Sequence, residues 1–312
     1  MKKKGNPMPI ARKLITAAVS PVIATLFTVV LPSSACAQMR MGELPPGKVE
    51  MKSPEISLPM ELFGGRVIVN VMLSGKGPFR FILDTGAAGS LIGADLTEEL
   101  KLPVVGEAAV GSPAGGQPLP AKLVKLDQLS IGNLSISDIM AVSLDMSQLF
   151  HGKDAPRGVL SPALFSGLLL SLDYPQKRVV IRPGELPAAN QTDIFDYNPS
   201  QRLPRVKLSM AGLNVDVDID SGSPGSISLP LIYSEQLPLA SKPVEVGRIR
   251  TVDADLPIVG AKLNGEVKLG RYVFTNPDLT FADKVPVGNI GFRFLQQFTI
   301  TLDRKNHRVR FN

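Results

Sequence analysis

The seven residues Asp84-Thr85-Gly86-Ala87-Ala88-Gly89-Ser90 recur downstream as Asp220-Ser221-Gly222-Ser223-Pro224-Gly225-Ser226. Each copy closes an apolar run with strand character, Phe79 to Leu83 before the first and Val215 to Ile219 before the second. One such acid–hydroxyl–glycine triplet is a common turn signature. Two in matched settings imply a repeated scaffold that delivers two equivalent carboxylates.

The repeat extends past these motifs. Leu129 to Ile136 parallels Val267 to Phe274, with Gly132 matched by Gly270. Gly158-Val159-Leu160-Ser161 parallels Gly288-Asn289-Ile290-Gly291, and an apolar segment with helical character follows each. Leu170-Ser171-Leu172-Asp173 then matches Ile300-Thr301-Leu302-Asp303. Short Val/Ile/Leu-rich runs broken by Gly, Pro, Asn and Asp predict an all-β chain with tight turns and a few short helices. Arg66 to Leu73 and Phe79 to Leu83 read as paired strands around a turn at Gly75 to Pro78. Ala94 to Lys101 reads as a short helix.

At the N-terminus, Lys2-Lys3-Lys4 and Arg12-Lys13 precede an apolar run from Leu14 to Leu31, then Pro32 and Ser33-Ser34-Ala35-Cys36-Ala37. This order predicts a secretory signal (residues 1–37) cut after Ala37, and hence a secreted or periplasmic protein. An uncleaved anchor or a lipid on Cys36 are the readings that would bring in a membrane. The first 37 residues hold five of the 34 basic residues and none of the 28 acidic ones, so the mature chain is nearly balanced at 29 to 28. The excess of positive charge therefore gives no reason to expect a nucleic-acid partner. Cys36 is the only cysteine, so no disulfide supports the mature chain.

The expected organisation is a lead-in over 38–55, a first lobe over 56–183, a linker over 184–202 and a second lobe over 203–312. Ile82-Leu83-Asp84-Thr85-Gly86-Ala87, Ile219-Asp220-Ser221-Gly222-Ser223 and the downstream Asn289-Ile290-Gly291 carry a family resemblance. Each half resembles the retropepsin-like aspartic peptidases, and the whole is similar to bacterial exported single-chain proteins with two such lobes. The resemblance covers about 60–183 and 203–312. Asp218, Asn289 and Ser161 depart from the pattern; Ser161 stands where a glycine would let the chain pass beneath the acidic loop.

The resemblance implies an active site at the lobe junction, with Asp84 and Asp220 as the catalytic acids. Gly86 and Gly222 would let the loops approach closely, and Thr85 and Ser221 would bond across the junction. Two carboxylates about 3 Å apart share one proton, so one activates a water while the other polarises the peptide carbonyl. The residue after each glycine differs, Ala87 against Ser223. A Ser223 hydroxyl bonded to Asp220 would make Asp220 the ionised member and Asp84 the proton carrier. Gly106 to Lys122, centred on Gly111, Ser112, Gly115 and Gly116, fits a substrate-covering flap; Val246 to Ile258 is its counterpart or a plain surface loop. Asp216 and Asp218 are expected on a solvated strand face, and Asp173 and Asp303 at turns.

Other chemistries fit poorly. The two histidines, His151 and His307, lie in no nucleophile or metal motif, and no phosphate-binding glycine loop or clustered metal spacing is present. The expectation is an aspartic endopeptidase acting on polypeptide without metal or cofactor, as a monomer. Peptide binding without catalysis, and pairing of lobes between chains, stay open.

Overall fold

A computed structural model describes residues 47–312 except 113–114, 148 and 252–254, together with the backbone of two short strands, Val22–Ile23 and Thr28–Val30. Ala37, Cys36 and most of the expected signal segment lie outside the described residues. No helix among the described residues is long and apolar enough to cross a membrane.

Strands make up 53% and helices 7% of the described residues, so the fold is all-β. In the first half the strands are β1 (Arg66–Leu73), β2 (Lys76–Leu83), β3 (Leu91–Gly93), β4 (Val104–Gly111), β5 (Leu119–Ile131), β6 (Leu134–Leu144) and β7 (Gly158–Leu160). The turn between β1 and β2 falls at Ser74 and Gly75, whose φ values of 46° and 79° suit a tight hairpin. It lies earlier than expected, and Lys76 to Pro78 belong to β2. The expected helix forms over Ala94–Leu100 and stops where Lys101 turns left-handed.

The second half contributes β8 (Arg205–Met210), β9 (Leu213–Ile219), β10 (Ile227–Pro230), β11 (Val244–Arg250), β12 (Asp255–Lys262), β13 (Asp278–Ala282) and β14 (Gly288–Ile290). The first ten-stranded sheet contains the run β4-β5-β6-β3-β7-β2-β1, and the second the run β11-β12-β13-β10-β14-β9-β8. The order is the same in both. In each run a short strand lies parallel to the one ending at an aspartate, β7 beside β2 and β14 beside β9.

A separate six-stranded sheet joins the two halves. Leu169–Asp173 pairs antiparallel with Thr299–Asp303, and each also pairs with the strand that follows it. Ile194–Asp196, inside the stretch expected as linker, adds to this sheet beside Arg308–Phe311. Asp173 and Asp303 close turns by accepting the amides of Gln176 and Asn306, respectively. The large core contains the fully buried Phe81, Phe165, Phe281 and Phe311, each contributing about 1.5–3 kcal/mol through its burial.

A second apolar cluster lies only in the first half. Ile68, Ile82, Leu91, Val142 and Val159 pack there with Met146, Leu149 and Phe150 from the segment that follows β6. That extra cover explains why β1 is buried along nearly its whole length, while β9 alternates between buried and exposed positions at its start.

Candidate active site

Both acidic motifs sit where a strand ends and the chain turns, and the two turns are built alike. The amide of Asp84 donates to the carbonyl of Leu160, and that of Asp220 to Ile290, both at 3.0 Å. Ala87 N–H bonds back to the Asp84 carbonyl and Ser223 N–H to the Asp220 carbonyl, both at 3.2 Å. Within each turn the glycine amide reaches the acid's side chain: Gly86 to Asp84 Oδ1 at 2.7 Å and Gly222 to Asp220 Oδ1 at 2.9 Å.

Thr85 and Ser221 lock the two turns together. The Thr85 hydroxyl donates to the carbonyl of Ile219 at 2.6 Å and accepts from the Ser221 amide at 2.9 Å. Ser221 returns both bonds, donating to the Leu83 carbonyl at 2.8 Å and accepting from the Thr85 amide at 2.9 Å. All four groups are buried, and each hydroxyl has a donor and an acceptor. The approach is close: a Cβ on Gly86 would lie 2.6 Å from Cγ of Asp220. Asp84, Thr85, Gly86, Asp220, Ser221 and Gly222 thus come together as one cluster.

Both carboxyls are fully buried, and burial pushes both upward from the ordinary aspartate range. Asp84 is raised further by the charge of Asp220 and by their mutual hydrogen bond. In Asp220 the rise is opposed first by a hydrogen bond from Asn289, whose Nδ2 donates to Oδ2 at 2.7 Å. Among the described residues no donor reaches Oδ2 of Asp84. Arg66 is also buried, and its charge acts on both acids; desolvation pulls the guanidinium down while the two carboxyls draw it back. The positive charge of Arg66 thus acts on the pair from β1.

Several sequence expectations need correction. The Ser223 hydroxyl does not bond the Asp220 carboxyl: it accepts the Gly225 amide at 3.3 Å, and Asn289 takes the expected position on the carboxylate. Asp218 is not solvated. It is buried and paired with Arg205, Nε to Oδ1 at 2.7 Å, whereas Asp216 is half-exposed and paired with Lys207. Ser161 is accommodated because its hydroxyl donates to the Ala87 carbonyl at 2.8 Å and its amide to Ser90 Oγ at 3.1 Å. In the second half the amide of Gly291 bonds the Ser226 carbonyl instead, and a Cβ there would lie 2.6 Å from the Ser223 carbonyl oxygen.

The stretch Gly106 to Lys122 forms the β4–β5 hairpin, and Val246 to Ile258 forms the β11–β12 hairpin. Gly111 ends β4, while Gly115 and Gly116 are exposed near the tip with φ of 80° and 143°. The Ser112 hydroxyl donates to the Thr251 hydroxyl at 3.2 Å, so the two hairpins touch. Pro113 and Ala114, also part of the expected flap centre, lie outside the described residues. Among the described residues, no three His, Cys, Asp or Glu side chains gather as they would around a metal ion.

Sequence reasoning missed Arg66 and the role of Asn289. A lone Arg at a strand start and a lone Asn in a short strand carry no local signal, although Asn289 did stand out as a departure from the repeat. No curated protein matches the chain at a significant level. Residues 69–164, which run from within β1 to just past β7 and hold the first of the two acidic turns, match the family model described as aspartyl protease.

Proposed function

We propose that the chain is an exported aspartic endopeptidase of two lobes, with its active site at the lobe junction on Asp84 and Asp220. The observation that carries this reading is the reciprocal bonding of Thr85 and Ser221, which holds two buried carboxyls side by side on matched turns. Two neighbouring buried acids share one proton, since two buried like charges repel. The ionised carboxylate removes a proton from a water as its oxygen attacks the peptide carbonyl carbon. The protonated carboxyl donates to the carbonyl oxygen. The tetrahedral intermediate collapses when the carboxyl that took the water proton passes it to the leaving amine while the other carboxylate takes one back from the intermediate's hydroxyl, and no acyl-enzyme forms.

The common strand order of the two sheets supports an internal repeat, and the touching β4–β5 and β11–β12 hairpins support flaps over an extended peptide. Both acids lie in one chain, so the mature protein from residue 38 onward works as a monomer in a periplasmic or extracellular setting. Complete burial of both carboxyls favours a second reading, peptide binding without turnover.

The test is incubation of residues 38–312 with a diverse peptide library across pH, with and without a statine-type inhibitor. Inhibitor-sensitive cleavage supports the peptidase. Saturable binding of intact peptides with no cleavage at any pH supports the binder. Solution mass distinguishes lobe pairing within one chain from pairing between chains.

A further inference from the structure

One row of residues differs in kind between the two sheets. Across β1, β2, β7, β3 and β6 the register aligns Ile68, Ile82, Val159, Leu91 and Val142, all apolar and buried. Across β8, β9, β14, β10 and β13 the matching row is Arg205, Asp218, Asn289, Ser228 and Thr280. The polar row stands two residues before Asp220, as the apolar row does before Asp84. Its central member is the one that reaches the acid.

Asn289 occupies the strand position of Val159. Its amide donates to Oδ2 of Asp220, while no donor among the described residues reaches Oδ2 of Asp84. Each acid also accepts the amide of the glycine two residues on. We infer that Asn289 is a positioning residue that breaks the symmetry of the pair, holding Asp220 as the ionised base and leaving the shared proton on Asp84. A hydrogen bond from a neutral donor favours the charged form of the acid it reaches, and a valine at the same position offers none.

The other charged and titratable groups do not produce this difference. Arg66 acts on both acids from β1. Tyr174, buried and pushed upward by desolvation and by both carboxyls, is a neutral phenol. The charge of Asp218 is met by Arg205, with Nε and Nη2 on its two oxygens at 2.7 and 3.3 Å. That pairing keeps a second full negative charge from facing the dyad through Asn289. The inference rests on the peptidase reading for its consequence, but the protonation asymmetry can be read without turnover.

The experiment is carboxyl titration by carbon NMR on residues 38–312, with each acid isolated in turn. In the Asp84→Asn background, adding Asn289→Val should raise the pKa of Asp220 by about one to two units. In the Asp220→Asn background the same change should leave Asp84 within about half a unit. A fall for Asp220 would mean that the amide accepts rather than donates, and equal shifts in both backgrounds would mean a general change of polarity. Either overturns the assignment, as does an unmoved Asp220. The unsubstituted chain gives an arm that needs no variant to fold: Asp220 must ionise at lower pH than Asp84. If cleavage occurs, Asn289→Val in the active chain should move the acidic limb of the pH–rate profile upward. Absence of cleavage with the expected titrations would count against the peptidase reading alone.

Discussion

Gly86 and Asp220 come from opposite halves of the chain, yet a single methyl group on Gly86 would sit 2.6 Å from the Asp220 carboxyl carbon. That approach brings the Gly86 amide, bonded to Asp84, against the other acid. Gly86→Ala should therefore force the turns apart, at about 1–3 kcal/mol of stability for overpacking. Urea unfolding measures the loss. Cleavage, where present, should fall more than the stability change explains, because the acids no longer share a proton.

The Thr85–Ser221 exchange should behave as one unit. Thr85→Val and Ser221→Ala each strand buried amide and carbonyl groups, and each should cost about 1–3 kcal/mol. The double variant should cost less than their sum, since the first change already loosens the junction on which the other hydroxyl's two bonds depend. A double-mutant cycle by chemical denaturation checks this; strict additivity would mean that the two side chains act independently.

The buried pair also sets a pH dependence of stability. Both carboxyls bind protons more tightly folded than unfolded. Their contribution is fully present below the ordinary aspartate range near about 4, and is lost as pH rises toward the folded values. Asp84→Asn removes one of the crowded acids. Its melting temperature relative to the parent should accordingly rise between pH 4 and pH 7, by paired thermal melts at the two values.

Arg205 neutralises a buried acid, and Arg205→Met should cost about 3–5 kcal/mol by leaving Asp218 uncompensated. Adding Asp218→Asn should recover a large part of that loss. Denaturation of the single and double variants measures both effects.

What could be read from the chain divides along physical lines. Asp84 and Asp220, their glycines and the hydroxyls beside them were legible because a local motif, repeated, needs only adjacent residues. The hairpins β1–β2 and β4–β5 were legible for the same reason. The six-stranded sheet was not, because Leu170 faces Leu302 only after the chain has folded, and nothing local pairs such distant strands. Asp218 read as solvated because strand alternation says which face a residue takes, not what covers that face or which Arg sits opposite. Ser223 looked like the donor to Asp220 because it is near in sequence; Asn289, far along the chain, is nearer in space. Ser161 looked like a defect, but the Ala87 carbonyl and Ser90 hydroxyl give it both partners it needs.

The central claim is that Asp84 and Asp220 together hydrolyse peptide bonds. The most direct measurement is the initial rate of peptide cleavage by the mature chain and by its Asp84→Asn and Asp220→Asn variants, each confirmed folded by circular dichroism. An amide keeps the shape of the carboxyl but cannot carry the proton, so each variant should lose at least about 10²–10⁴-fold in rate. Near-parent turnover in either folded variant would contradict the paired-acid account.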